Sequence, residues 1–394
     1  MLQNSKIISI TFAITILFFT SDSWAPAKGQ DFINEAKLIY AVVACGDGQV
    51  LPSIDAETVA SHCREVRRHV VKAQREFVDK ARPFFAAILP KNLPKKVVYP
   101  FGGGDLLTAL ATYPSAVEFT TISLESGGDP RRLIKADKRE LDNALKTFRK
   151  MQVYLLDWHD NRTENLPPFE RGIIPGQLAF SLAAAVVYDY EPVSLTYFRI
   201  GPDGGLHYLT ETDISSMDLI KSKKLASFMP EPDFSPAFRN MELTLRRRAS
   251  GEGPEIIIHR HIAENLSNRH FDNSPLKKYL ENNGTISAMT KAGGYLLWRE
   301  DFSILREYLL THMAFMISDS TGILPHHTSA AGFEQITYGT FNGAFLPNNG
   351  GNDAAELRRL WSTQKERKLF FRYGYSDILG ANHLIVTRPR ESGK

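Results

Sequence analysis

The run Lys95-Lys-Val-Val-Tyr-Pro-Phe-Gly-Gly-Gly-Asp105, followed by Leu106–Tyr113 and Val117–Glu125, constrains the fold more than any other part of the chain. An apolar β-rich stretch, three consecutive glycines, a short helix-compatible stretch and a second β-rich stretch read as strand, loop, helix and strand. That order opens a parallel βαβ unit of the nucleotide-binding kind.

In such a unit the glycines let a ligand approach the backbone, and the next helix points its partly positive N-terminus at it. An acidic residue about 20 residues further on, at the end of the second strand, then serves ligand hydroxyls. Glu125 stands at that position, so Gly102, Gly103, Gly104, Asp105 and Glu125 are the expected ligand-binding set. Other features depart from the dinucleotide pattern. Leu107 stands where a dehydrogenase needs its third glycine, and Tyr99-Pro100-Phe101 stands where methyltransferases carry an acidic residue. Asp105 is a good N-cap but repels phosphate, which favours a neutral or cationic ligand. The competing reading is a tight strand-to-helix turn capped by Asp105, with Glu125 exposed at a strand end.

Around this unit the apolar spacing predicts helices over Asp31–Ala44, Thr58–Leu89, Arg131–Trp158 and Gly172–Val187. Two hairpins follow, Val193–Ile200 with Leu206–Thr210 and Met241–Arg247 with Glu255–Ile262, joined by a proline-rich irregular stretch. Further on come a helix Pro275–Glu281, a strand Ile286–Lys291, a helix Phe302–Met313 and a strand Ala314–Asp319. A helix around Ala354–Gln364 and strands at Phe333–Phe341, Leu369–Tyr375 and His383–Arg388 complete the series. The expected fold class is α/β: a Rossmann-like mixed sheet spanning residues 95–394, with antiparallel C-terminal strands and a helical N-terminal extension over 28–94.

Residues 1–27 read as a secretory signal peptide: Lys6, then the apolar run Ile7–Thr20, then small residues. The mature chain is expected to start at Lys28, in a periplasmic or extracellular setting, a retained anchor being the alternative. No later stretch is long and apolar enough to span a bilayer, so no stable membrane insertion is expected after cleavage. Lys+Arg 47 against Asp+Glu 44, with no concentrated basic tract, argues against nucleic acid as a partner. The chain has two cysteines, Cys45 and Cys63, and in an oxidising compartment a bridge between them is the favoured reading.

Several motifs together resemble a family of uncharacterised exported bacterial proteins: Tyr99-Pro-Phe-Gly-Gly-Gly-Asp105, Gly172-Ile-Ile-Pro175, Lys291-Ala-Gly-Gly-Tyr295, Asp319-Ser-Thr-Gly-Ile-Leu-Pro325, Tyr338-Gly339 and Phe371-Arg-Tyr-Gly-Tyr375. The resemblance covers most of the chain from about residue 95 onward. Relatives look to carry Ser at the place of Gly103 and a Asp-Asp-Ser-Gly-Ile-Pro motif that shifts the proline by one position. The resemblance implies no activity. A weaker similarity, to Rossmann-like methyltransferase architecture, implies a cofactor cleft at the glycine loop.

Asp319-Ser-Thr-Gly322 follows an apolar strand, where open α/β sheets place their ligands. With Asp105, Glu125, Lys291 and Tyr338 it would line a pocket of mixed charge, the alternative being a turn with local side-chain hydrogen bonds. Asp105, Lys291 and Asp319 are the catalytic candidates, Lys291 as a base or imine former. His259 and His261, two apart in a strand, with His326, His327 and either His270 or Asp319, offer a metal reading. The spacing matches no zinc motif, a half-exposed hairpin explains His259 and His261 equally well, and no metal is assigned. S-adenosylmethionine and NAD are not expected in an envelope, which leaves the cofactor open. The expected function is small-molecule binding at the glycine loop, by a divergent methyltransferase-like enzyme or by a non-catalytic envelope protein with an unknown protein partner.

Overall fold

The computed structural model describes residues 29–51, 53–156, 173–218, 235–249, 253–341, 351–374 and 382–390. The expected signal segment 1–27, Trp158, Gly172, the prolines 230 and 232 and Tyr375 lie outside these residues. The strands are β1 Lys96–Pro100, β2 Glu118–Ser123, β3 Tyr190–Ile200, β4 Leu206–Tyr208, β5 Asn240–Arg247, β6 Ile256–Ala263, β7 Ile286–Thr290, β8 Met313–Ser318, β9 Phe333–Thr340 and β10 Asn382–Pro389. The helices are α1 Ile33–Val42, α2 Ala56–Ala73, α3 Asp79–Ile88, α4 Leu106–Thr112, α5 Lys138–Leu156, α6 Gly176–Val187, α7 Glu211–Asp218, α8 Asn268–Phe271, α9 Pro275–Asn282, α10 Ser303–His312, α11 Pro325–Ala330 and α12 Gly351–Ser362.

All ten strands join one mixed sheet in the order β4-β3-β5-β6-β2-β1-β7-β8-β10-β9. From β6 to β8 every neighbour is parallel; β3, β4 and β5 on one side and β10 against β8 and β9 on the other pair antiparallel. The parallel centre is buried on both faces, as sequences such as Ile286–Thr290, buried throughout, require. Over one face lie α1 to α6, where Phe85, Leu107, Phe148 and Leu178 pack towards Val97, Tyr99, Phe119 and Leu243. Over the other lie α8 to α10, where Leu276, Leu280, Leu305 and Leu309 meet Val98, Ile122, Ile262 and Ala288. The helical N-terminal segment is tied to the sheet as well: Asp31 bridges Thr196, and Phe32 N–H donates to the Leu195 carbonyl over 2.8 Å.

The Cys45–Cys63 disulfide is present and staples the end of α1 to α2. It is compatible with an oxidising compartment. No helix among the described residues is long and apolar enough to cross a membrane.

Three expectations are corrected. The single helix over 58–89 is broken at Gln74–Val78 by a π-turn. Pro83, inside α3, lacks the N–H that would reach back one turn, and such prolines displace the preceding turn. The charged helix expected from Arg131 begins only at Lys138, because Asp129 takes the side chain of Arg131 (2.7 Å) and residues 133–135 form a separate tight turn. Leu369–Tyr375, expected as a strand, is irregular up to residue 374. Its aromatic alternation serves a ring cluster instead: Phe371 stands edge-on to Phe77 and Phe84, and Tyr373 N–H is taken by the Asn382 side chain at 2.9 Å.

Candidate functional site

The strand order turns at β1. The chain goes from β1 to β2 and β6 on one side, and later from β7 to β8 on the other, so the carboxyl ends of β1, β2 and β7 border a topological switch. Their ends are level. Pro100 lies opposite Ile122, and Val98 lies opposite Ala288, which puts Pro100 and Thr290 each two residues further on, at their strand termini. Phe101, Ser123 and Lys291 are the next residues out, and Thr290 opposite Ser318 brings Asp319 into the same row.

The glycine loop is needed for its conformation and for close packing. Phe101 and Gly103 have φ of 61° and 47°, and a Cβ on Gly104 would stand 2.9 Å from the Phe180 ring and 3.1 Å from Gln177 Oε1. Gly102, Gly103 and Gly104 are all buried, with the space beside Gly102 and Gly104 taken by Tyr99 and by α6. The loop therefore fits α6 against β1 as closely as it would fit a ligand.

Asp105 caps α4, accepting from Thr108 N–H (3.2 Å) and Thr108 Oγ1 (2.7 Å), and its other oxygen accepts from the Tyr99 hydroxyl at 3.0 Å. Lys291 Nζ lies 3.5 Å from that same oxygen and 6.0 Å from the centre of the Tyr373 ring. Burial pushes the Tyr99 and Tyr373 hydroxyls well above the ordinary phenol range, so both are fixed as donors. Asp319 accepts from Ala292 N–H at 3.0 Å, next to Lys291, and from Thr321 N–H and Oγ1 at 2.8 and 2.5 Å. The three catalytic candidates thus share one buried polar patch, in which Asp105 and Asp319 each also hold their own turn.

Glu125 is placed differently. It follows β2 by two residues and is only 7 % exposed, yet neither carboxylate oxygen has a hydrogen-bond partner among the described residues. Its carbonyl anchors the loop instead, accepting from His261 Nε2 at 2.7 Å. The expectation that His259 and His261 sit on a half-exposed hairpin is overturned: both are fully buried, because β6 lies inside the sheet between β2 and β5. Thr121 Oγ1 bridges them, 3.1 Å from His261 Nδ1 and 2.9 Å from His259 Nε2. A carbonyl can only accept, so His261 carries its proton on Nε2 and the Thr121 hydroxyl donates to Nδ1. Thr121 in turn accepts from His259 Nε2, which leaves His259 Nδ1 an acceptor with no partner. Desolvation holds both imidazoles below their ordinary range, His259 at about 3.

Gln177, in the first turn of α6, was not singled out by any motif. It is 2 % exposed, faces the glycine loop, and neither its amide oxygen nor its nitrogen is paired. Its only sequence signal is a polar residue at the head of an otherwise apolar helix. His383 was missed too: Ser320 Oγ, in the expected Asp319–Gly322 turn, is 3.2 Å from His383 Nε2, and burial holds His383 at about 4.

Tyr338 stands apart from these groups, on β9, its ring edge-on to Phe84 at 5.2 Å and under the Arg367 guanidinium. His326 is paired with Glu356 and His270 with Ser267, so the histidines considered for a metal are spread over separate partners. Among the described residues Cys45, His62 and Cys63 are the one group with metal-ligand spacing. The sulfurs are bonded to each other, and His62 Nε2 donates to the Val43 carbonyl at 2.8 Å, so nothing there is available to an ion. No protein-family model matches the sequence, and none of the curated proteins matches it.

Proposed function

We propose that the chain is a small-molecule-binding protein on a divergent, methyltransferase-like Rossmann sheet, acting outside the reducing cytoplasm. The order β6-β2-β1-β7-β8 corresponds to the 3-2-1-4-5 run of Rossmann sheets. β10 lies antiparallel between β8 and the edge strand β9, a departure from an all-parallel Rossmann sheet that makes this one divergent.

The observation that carries the reading is Glu125. A buried carboxylate is costly unless something donates to it, and here both oxygens stand unpaired beside the switch point, where open α/β sheets bind ligands. An acceptor-only group asks for a ligand that brings hydrogen-bond donors.

Binding without turnover is favoured over catalysis by the Asp105–Lys291 pair. Both groups next to the glycine loop are engaged by the chain itself, so Lys291 is turned to Asp105 rather than to a pyrophosphate. The test is native mass spectrometry of protein purified from its own compartment. A retained adduct that Glu125→Gln releases is expected; a bare chain mass for the wild type ends the reading.

A further inference from the structure

Buried unpaired polar atoms are uncommon in folded proteins, and each requires an explanation. Of the 14 such side-chain atoms among the described residues, six belong to Ser123, Glu125, Gln177 and His259. These four residues share one side of the sheet. In the β2–β6 register Phe119 faces His259, Thr121 faces His261 and Ser123 faces Ala263, so Ser123 projects on the same side as Thr121 and the two histidines.

The loop after β2 folds back over that side. Glu125 is tied to His261, a Cβ on Gly127 would stand 3.1 Å from Met241, which pairs with His261 across β5, and one on Gly128 would stand 2.4 Å from Pro175. Pro175 heads α6, and two residues later Gln177 reaches the glycine loop. Glu125, Gln177, Ser123 and His259 therefore stand around β2, β6 and the start of α6, each with a buried polar atom that no described residue pairs.

The charge of this polar group decides its ligand. Glu125 brings a carboxylate that pairs with no cation among the described residues. Arg131, the next cation along the chain, is held by Asp129 at 2.7 Å and Asp218 at 2.9 Å, and Lys291 is held by Asp105. The other free acceptors are Gln177 Oε1 and His259 Nδ1, so acceptors outnumber donors. A phosphate or carboxylate is excluded by this set, and a neutral polyol would satisfy the hydrogen bonds without the charge.

We infer that Glu125, Gln177, Ser123 and His259 line one chamber that binds an organic ammonium ion, the cationic –NH3+ of a small amine meeting Glu125 and the amide oxygen of Gln177. This rests on the small-molecule reading above and names its ligand class. The probe is putrescine, titrated calorimetrically into the full chain, with 1,4-butanediol as its uncharged counterpart.

One putrescine per chain is expected, with binding that survives about 0.5 M salt because a buried pair is little screened. Glu125→Gln is expected to weaken it at least tenfold, and Ser123→Ala, a milder change that keeps the fold if Glu125→Gln does not, a few fold. No binding, equal binding of butanediol, loss of binding with salt, or an unaffected Glu125→Gln would each overturn the proposal. A neutral polyol found as the native adduct would sink the ammonium assignment while leaving small-molecule binding standing; a bare chain would remove both.

Discussion

Lys291 Nζ stands 3.5 Å from Asp105 Oδ2, with neither side chain more than 1 % exposed. A buried pair of this kind contributes little net stability relative to an apolar substitute, but breaking it from one side leaves an uncompensated charge. Lys291→Met and Asp105→Asn are each expected to cost about 3 kcal/mol in urea unfolding. The double variant should cost clearly less than the sum, because the two changes act on one interaction. Additive costs would show that the two groups are held by other partners.

The Cys45–Cys63 bridge closes a loop with a sequence separation of 18. Constraining an unfolded chain over a loop of this size is worth about 3 kcal/mol. Reduction, or a Cys45→Ser/Cys63→Ser pair, is therefore expected to lower the unfolding free energy by about that amount. His62 packs beside the bridge and donates to Val43, so α1 and α2 are expected to loosen together, read as faster amide exchange in Ile39–Val43.

Much of this architecture was legible from local chemistry. The strand, glycines and Asp105 cap read directly as β1, loop and α4, and both hairpins lie within a few residues of their expected places. Helix ends were less legible where a side chain far along the chain helps decide them, as Asp218 does by holding Arg131 at 2.9 Å. Phe371 and Tyr373 alternate like a strand because they feed a ring cluster with Phe77, Phe84 and Phe85, contacts that span almost the whole chain. The candidate site was readable in parts. Glu125 could be placed by its distance from the glycines, whereas Gln177 and the burial of His259 depend on α6 and β5 covering β2 and β6, which no local pattern encodes.

Gly104 makes the packing role of the loop testable. A methyl group there would come within 2.9 Å of Phe180 Cδ2 and 3.0 Å of Phe180 Cβ, and both α4 and α6 are buried around it. Gly104→Ala is expected to cost about 1–3 kcal/mol by overpacking. Trimming the obstacle in a Gly104→Ala/Phe180→Leu double variant should return part of that loss. A Gly104→Ala protein as stable as the wild type would mean that the loop and α6 stand further apart than described.

The buried histidines predict how stability depends on pH. Desolvation is the main cause in each case: it holds His62 and His383 at about 4 and His259 at about 3, and it lowers His261 as well. The folded values lie below the unfolded value of about 6.5, so the fold keeps these rings neutral while the unfolded chain takes up protons as the pH falls. Their contribution is complete above about pH 6.5 and is lost progressively as the pH falls towards 4 and then 3. Each ring contributes a limiting slope of about 1.4 kcal/mol per pH unit, so His62, His383 and His259 together approach about 4 kcal/mol per unit between roughly pH 6 and 4.5, and His261 adds in the same direction. Urea unfolding at stepped pH reads this slope, and His259→Gln, which keeps a polar group near Thr121 but cannot titrate, should remove about a quarter of it. A stability profile that stays flat from pH 6.5 to 5 would show that these rings are not neutral and buried in the folded chain.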